Sequence, residues 1–136
     1  LAISQLKNIN IFISHRIKLA KKYDKILEQA VLQKKIRIIN YSSNIIHPYW
    51  KYTVFLLKKQ KREKIKKEMN KKSIEIDWAY EPLVHLQPIM QKLYNNKKGL
   101  LPYSENLSKT HINLPTHYGI NLKQAIIIAK KFVKLL

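Results

Sequence analysis

The chain has no cysteine among its 136 residues. This absence excludes a disulfide framework, a thiol nucleophile and a cysteine-ligated zinc or iron–sulfur site, and it makes a reducing cytoplasm the simplest compartment to expect. Glycine is almost as scarce, since Gly99 and Gly119 are the only two and stand apart. The sequence therefore offers no glycine-rich loop that could cradle a phosphate group.

Several other motifs are missing. No apolar run approaches the ~20 residues that a membrane span needs, so we expect no membrane segment. A Gly-x-Ser-x-Gly motif is absent, and the acidic residues suggest no general acid and base pair, so hydrolase chemistry has no support. No His-x-x-x-His pair occurs, and we predict no metal site. The histidines are His15, His47, His85, His111 and His117.

Acidic residues are few, with 8 Asp and Glu against 27 Lys and Arg, which gives a formal net charge of +19. Such an excess of positive charge is typical of proteins that bind nucleic acid. However, only Arg16, Arg37 and Arg62 are arginines, and proteins that read base sequence rely on arginine for bidentate contacts. We interpret the densest basic run, residues 58–68, as a helix with solvated lysines. A basic binding module stays open as an alternative, but nucleic acid is not the favoured partner.

The first quarter of the chain carries the clearest helical pattern. Apolar residues recur three or four apart from Ala2 to Val31, which predicts one long amphipathic helix over residues 1–32. No capping residue or initiator Met precedes it, so we expect the sequence to enter this helix partway along. Its apolar stripe would need a partner, and a homodimer would cover it.

Residues 33–136 are expected to form a small α+β domain, with a sheet that is antiparallel or mixed and helices on one face of it. The last helix is apolar over a broad face, and we expect it to pack against a missing domain or a second copy. The predicted strands are 35–39, 52–57, 73–78 and 110–114, and the predicted helices are 61–72, 88–94, a short one from Pro102, and 121–135 capped by Asn121.

Three blocks of sequence carry a resemblance to a known family: residues 79–88, 101–107 and 113–117. In order and spacing they resemble the C-terminal domain of the DegT-type sugar aminotransferases. In that family a Tyr-Pro-His-Gln block precedes a Leu-Pro-Ser-Glu-Leu block and a Leu-Pro-His block. The long helix, with Gln5-Leu6, Arg16 and Tyr23, resembles the family's helix that connects the large and small domains.

The resemblance implies a fold-type I, pyridoxal-phosphate-dependent transferase. Such enzymes move an amino group, usually from glutamate, to a keto-sugar carried on a nucleotide. In the family, the lysine and the phosphate cradle that hold the cofactor belong to a large domain that this sequence lacks, so the chain is expected to bind no pyridoxal phosphate and to be inactive alone. A homodimer or a separate large-domain chain would be the partner.

By resemblance, the small domain supplies the far edge of the sugar pocket. The residues that match are Tyr80 and His85, with Glu81 and Gln87 as weaker candidates; no catalytic, cofactor-binding or metal-binding residue is expected. Each could equally be structural: Tyr80 as a core aromatic, and His85 as a packed loop histidine. Trp78 and Tyr103 depart from the small or polar residues usual in the family, which leaves the substrate open. A non-catalytic regulatory module and the remnant of a split gene are the alternatives.

Overall fold

The computed structural model of the chain describes residues 2–42, 44–57 and 62–136. Leu1, Ser43 and residues 58–61 of the basic run lie outside the described residues. In chain order the elements are α1 (Ala2–Lys7), α2 (Ile9–Leu32), β1 (Ile36–Ile38), β2 (Tyr52–Leu56), α3 (Arg62–Asn70), a 3₁₀ turn (Val84–Leu86), α4 (Pro88–Tyr94), α5 (Pro102–Thr110), β3 (His111–Leu114) and α6 (Leu122–Val133). The predicted α+β class is confirmed.

Within the described ranges, the sheet has three antiparallel strands in the order β1-β2-β3. Its register places apolar residues opposite one another on one face, because side chains two apart on a strand point the same way. The pairs on that face are Ile36 with Leu56, Val54 with Ile112, and Tyr52 with Leu114. All six of these residues are buried, so this face is the floor of the core.

Helices α2 and α6 pack together to form the other side of the core. The buried residues of α2 are Leu19, Ala20, Tyr23, Leu27 and Ala30, and those of α6 are Ala125, Ile128, Ala129 and Phe132. Asn121 caps α6, since its side chain accepts the Gln124 backbone N–H while the Gln124 side chain accepts the Asn121 N–H. This reciprocal capping satisfies two amides that the helix start would otherwise leave unpaired.

The first helix differs from its prediction in two ways. It is broken at Asn8, whose side-chain amide donates to the Ser4 carbonyl at 3.4 Å and so competes with the backbone ladder. The residues of α2 are buried only from Leu19 onward, whereas Leu6 and Ile9 are exposed. The stripe is therefore covered by this chain's own core from Leu19 onward, and is open at its start.

The predicted strand over residues 73–78 is wrong. Ile74 and Ile76 are buried and Glu75 is exposed, as the alternating pattern indicates, but only Asp77 forms a β-bridge, with Asn113. Alternation reports which side chains face the core and does not report a hydrogen-bonded ladder. Ser73, with φ of 56°, turns the chain just before this segment.

The expectation for α6 is also corrected. Its apolar side packs chiefly against α2 of the same chain, and of its isoleucines Ile127 stays about half exposed at 49%. No helix in the described part of the chain has the length and apolar character needed to cross a membrane.

We expect Tyr23→Phe to lower the free energy of unfolding by about 1–2 kcal/mol. Tyr23 is fully buried, and its hydroxyl donates to the Pro115 carbonyl at 2.8 Å, so the substitution leaves that carbonyl without its donor. Urea unfolding would measure the loss. The exposed Tyr94 provides the matched control, and an equal loss in Tyr94→Phe would contradict the role of this hydrogen bond.

Candidate functional site

Tyr80 lies in the loop that leads from the Asp77 bridge to α4. Its side chain is 68% exposed, and its φ of 67° lies in the left-handed region, which is costly for a tyrosine. The preceding residue is fixed, because the Ala79 N–H donates to His111 Nε2 at 3.1 Å. The structure therefore presents the Tyr80 ring at the surface and not in the core.

His85 is buried in the 3₁₀ turn, with 8% of its surface exposed, and its Nε2 lies 3.1 Å from Glu105 Oε1. The same carboxylate oxygen accepts the backbone N–H groups of Gly99 at 2.7 Å and Leu101 at 3.4 Å. The His85 hydrogen bond is the main cause that holds the pKa of Glu105 below its usual range, and the two backbone donors add to it. Because an ionised carboxylate only accepts, Nε2 of His85 carries the proton.

Glu81 belongs to a second polar cluster, centred on Arg62. The Arg62 guanidinium donates to Glu81 Oε1 and to the Ser108 carbonyl, and it lies 4.0 Å from the centroid of the Trp78 ring. Trp78 Nε1 donates to the other Glu81 oxygen at 2.8 Å. Burial raises the pKa of Glu81, but the hydrogen bonds from Arg62 and Trp78 outweigh it and lower the pKa overall.

Gln87 precedes α4 and is exposed. It occupies the N-cap position, yet its side chain makes no capping hydrogen bond; its backbone N–H donates to the Val84 carbonyl. The side chain is therefore available to a ligand or partner, without any described contact that positions it.

Helix α5 brings two of the four candidates together. It presents Glu105 to His85 and Ser108 to the Glu81 and Arg62 pair, and both of these α5 residues are buried. Residues three apart lie on the same face of a helix. Tyr80 and Gln87 are not tied to α5 by any described hydrogen bond, and they remain exposed on the outside of the same loop.

Two residues of this site were missed from the sequence. Arg62 belongs to the basic run that the sequence predicts to be solvated, but only 5% of its surface is exposed. Glu105 lies in the Leu-Pro-Ser-Glu-Leu block, yet it was not assigned as the partner of His85. The available signal was chemical, because His85 and Glu105 both lie in the blocks that resemble the family's, and a carboxylate is the natural partner of a buried histidine.

A cleft in the described part of the chain lies elsewhere. Its volume is about 660 Å³, and its walls come from α2, α6 and the segments around residues 50, 74 and 116. None of the four candidate residues lines it. In the described ranges, no three histidine or acidic side chains are grouped closely enough to hold a metal ion.

We expect Arg62→Lys to lower the free energy of unfolding by roughly 1–3 kcal/mol. A lysine keeps the charge but loses the planar fork that reaches Glu81 and the Ser108 carbonyl together, and it loses the stacking on Trp78. Chemical denaturation would measure the change. Lys64→Arg, at an exposed position of the same helix, is the control, and an unchanged stability in Arg62→Lys would rule out a geometric role for the guanidinium.

The Glu105 pair predicts a pH dependence. Because the folded-state pKa of Glu105 is lowered, its stabilisation is present above the unfolded-state value of about 4.3 and is lost as the pH falls through the folded value. The difference in unfolding free energy between wild type and Glu105→Gln should thus be largest near neutral pH and shrink below about pH 4. The control is Glu28→Gln, at an exposed position. If the difference in unfolding free energy between wild type and Glu105→Gln stayed constant with pH, the lowered pKa of Glu105 would be disproved.

Comparison with known proteins places this geometry in context. In sequence, the chain is 26% identical over 130 residues to a GDP-perosamine synthase of Escherichia coli O157:H7, an alignment that covers 96% of this chain and 33% of that protein. The chain therefore spans about a third of the length of this relative.

Solved structures show the same fold. Helicobacter pylori PseC, an aminotransferase involved in the biosynthesis of pseudoaminic acid, superposes with a TM-score of 0.84 at 22% identity, covering 98% of this chain and 35% of PseC. S. venezuelae DesV, in complex with a ketimine intermediate, gives a TM-score of 0.82 at 19% identity, covering 95% of this chain and 33% of DesV. The profile of the DegT/DnrJ/EryC1/StrS aminotransferase family matches residues 1–133, and the chain belongs to this family.

Proposed function

We propose that this chain acts as the small domain of a pyridoxal-phosphate-dependent nucleotide-sugar aminotransferase, which transfers an amino group from an amino acid such as glutamate to a keto-sugar nucleotide. Family membership over residues 1–133 supports the proposal, as do the sugar-related names of the relatives. Because the chain spans about a third of those relatives, the remaining two thirds would be a large domain that holds the cofactor.

The residues of this chain do not fit pyridoxal phosphate by themselves. When bound, the cofactor supplies the electron sink for amino transfer, and it needs a lysine for its Schiff base and donors for its phosphate. Every lysine that the structure describes is exposed or half-exposed. A side chain added at Gly99 would meet no atom within 4 Å, so the backbone there encloses nothing. We therefore assign no cofactor contact to this chain and expect no transamination by it alone.

The observation that carries the proposal is an apolar surface on segment 80–107, which we call the docking surface. Nine large apolar side chains of this segment are 41–87% exposed, and α4 has no buried residue at all. Exposed large apolar side chains in this number are typical of a protein interface. Its members are Tyr80, Val84, Ile89, Leu93, Tyr94, Leu100, Leu101, Tyr103 and Leu107. We assign the large domain as its occupant.

Within that assembly, we propose Tyr80 and His85 as the small-domain edge of the sugar pocket. The Tyr80 ring is already at the surface. His85 is held in one tautomer by Glu105, and its Nδ1 makes no hydrogen bond among the described residues, so it could accept one from a substrate hydroxyl. Glu81 is committed to Arg62 and Trp78, which leaves it a supporting role, and Gln87 remains the weaker candidate.

The alternatives have less support. A nucleic-acid-binding module would be favoured by a single cationic face, but the described basic residues occur on every α-helix from α1 to α6. No feature of the described residues specifically supports a purely regulatory module. We propose the cytoplasm as the compartment, where a chain without cysteine needs no oxidative folding.

The test is reconstitution. The chain would be purified and mixed with the large domain encoded together with it, in the same or the neighbouring reading frame, and pyridoxal-phosphate absorbance and aminotransferase activity measured before and after mixing. We expect no cofactor absorbance and no activity for the chain alone, and activity on mixing. Cofactor binding by the chain alone, or no complex on mixing with a folded chain, would refute the proposal.

Two variants identify the surface used. Leu93→Glu places a charge at a residue that is 63% exposed within the docking surface, and we expect it to weaken the complex at least about tenfold. Leu32→Glu makes the same change at a residue 70% exposed at the end of α2, outside that surface. Equal weakening by both variants would show that the docking surface is not the interface.

A further inference from the structure

The 660 Å³ cleft is separate from the docking surface and from every residue proposed for the sugar pocket. Its volume lies in the range of small-molecule sites, roughly 300–1,000 Å³. One wall is formed by Arg16 of α2 and Lys131 of α6, and Trp50 and Lys51 line it just before β2. The cleft therefore lies where the two core helices meet the sheet.

Positive charge exceeds negative charge in the lining, since four basic residues face two acidic ones: Arg16, Lys51, Lys72 and Lys131 against Glu75 and Asp77. Arg16, Lys51 and Lys131 are all half-buried, and of these only Lys51 has an acidic partner, Asp77 at 3.9 Å. Arg16 and Lys131 make no ion pair or side-chain hydrogen bond among the described residues. A half-buried cation without a partner loses part of its hydration and gains no ion pair or hydrogen bond in exchange, which is unfavourable. An anion in the cleft would restore those interactions.

The residues that line the cleft indicate which class of anion would bind there. Arginine binds phosphate through its planar fork, and lysine does so as a point charge. The volume exceeds what a single inorganic phosphate fills, and apolar surface from Ile127 and the ring of Trp50 completes the walls. We propose that this cleft binds a small phosphorylated organic anion, with Arg16 and Lys131 holding the phosphate groups and Trp50 contacting the organic part. This site is independent of the proposed aminotransferase role.

The experiment is calorimetric titration of the purified chain with sodium pyrophosphate and, separately, with adenosine diphosphate, at about 0.15 M ionic strength so that diffuse surface attraction is screened. We expect saturable one-to-one binding of both probes, tighter for the nucleotide. The double variant Arg16→Gln and Lys131→Gln should weaken binding at least about tenfold, because each lost partner removes a charge-assisted hydrogen bond.

The control variant removes two positive charges outside the cleft. Lys92 and Lys97 are exposed and lie outside the cleft, so Lys92→Gln with Lys97→Gln should leave the affinity unchanged. Equal weakening by the control pair, or no saturable binding of either probe to a chain that unfolds cooperatively, would overturn the proposal. Equal affinity for the two probes would retain the phosphate site and overturn the contact of Trp50 with the organic part.

Discussion

The contact between α2 and α6 over one face of the sheet is the constraint on which the rest of the structure depends. A three-stranded sheet with one apolar face must cover that face, and here two helices from opposite ends of the chain do so. Four of the buried residues on these two helices are alanines, namely Ala20, Ala30, Ala125 and Ala129. Small side chains let helix axes approach closely, so the large residues Tyr23 and Phe132 can fill the space above the strands.

Polar contacts, and not the apolar core, hold the loop that carries the candidate residues. Its two ends are tied to α5 through the Glu105 and His85 pair and through the cluster of Arg62, Glu81 and Ser108. Partly buried charges are costly unless each is paired and hydrogen-bonded, and these are. Because polar groups fix the loop from the inside, its apolar side chains are left on the outside, where they can contact a partner.

Patterns of local sequence predicted most of the fold. The 3.6-residue periodicity and the prolines at Pro88 and Pro102 gave the helices, and β-branched runs gave β1 and β2. The break at Asn8 is local, but two other failures share a cause, because each depended on contacts distant in sequence. Residues 73–78 alternate as a strand does, but among the described residues only the Asp77 bridge to Asn113 pairs with them. The apolar breadth of α6 indicated burial, while its actual partner, α2, lies about a hundred residues away in the sequence.

Prediction of the candidate site from local sequence has the same limit. Family motifs pointed to Tyr80 and His85, but nothing local in the basic run separates Arg62 from the solvated lysines around it. Its burial follows from Trp78, Glu81 and Ser108, which come 16 to 46 residues later in the sequence. Charge composition is a property of the whole chain, whereas the burial of one guanidinium depends on which acids and aromatic rings the fold brings to it.

The two proposed surfaces use different parts of this framework. The docking surface lies on α4, α5 and the loop before them, while the cleft joins α2 to α6 and the end of β3. Energetic coupling between two sites requires an element whose equilibrium both sites bias. Buried residues of one core cluster form the contact of α2 with α6, and the docking surface is connected to the sheet chiefly through α5. Because no described element is shared by both surfaces, occupancy of the cleft and attachment of a large domain should be nearly independent.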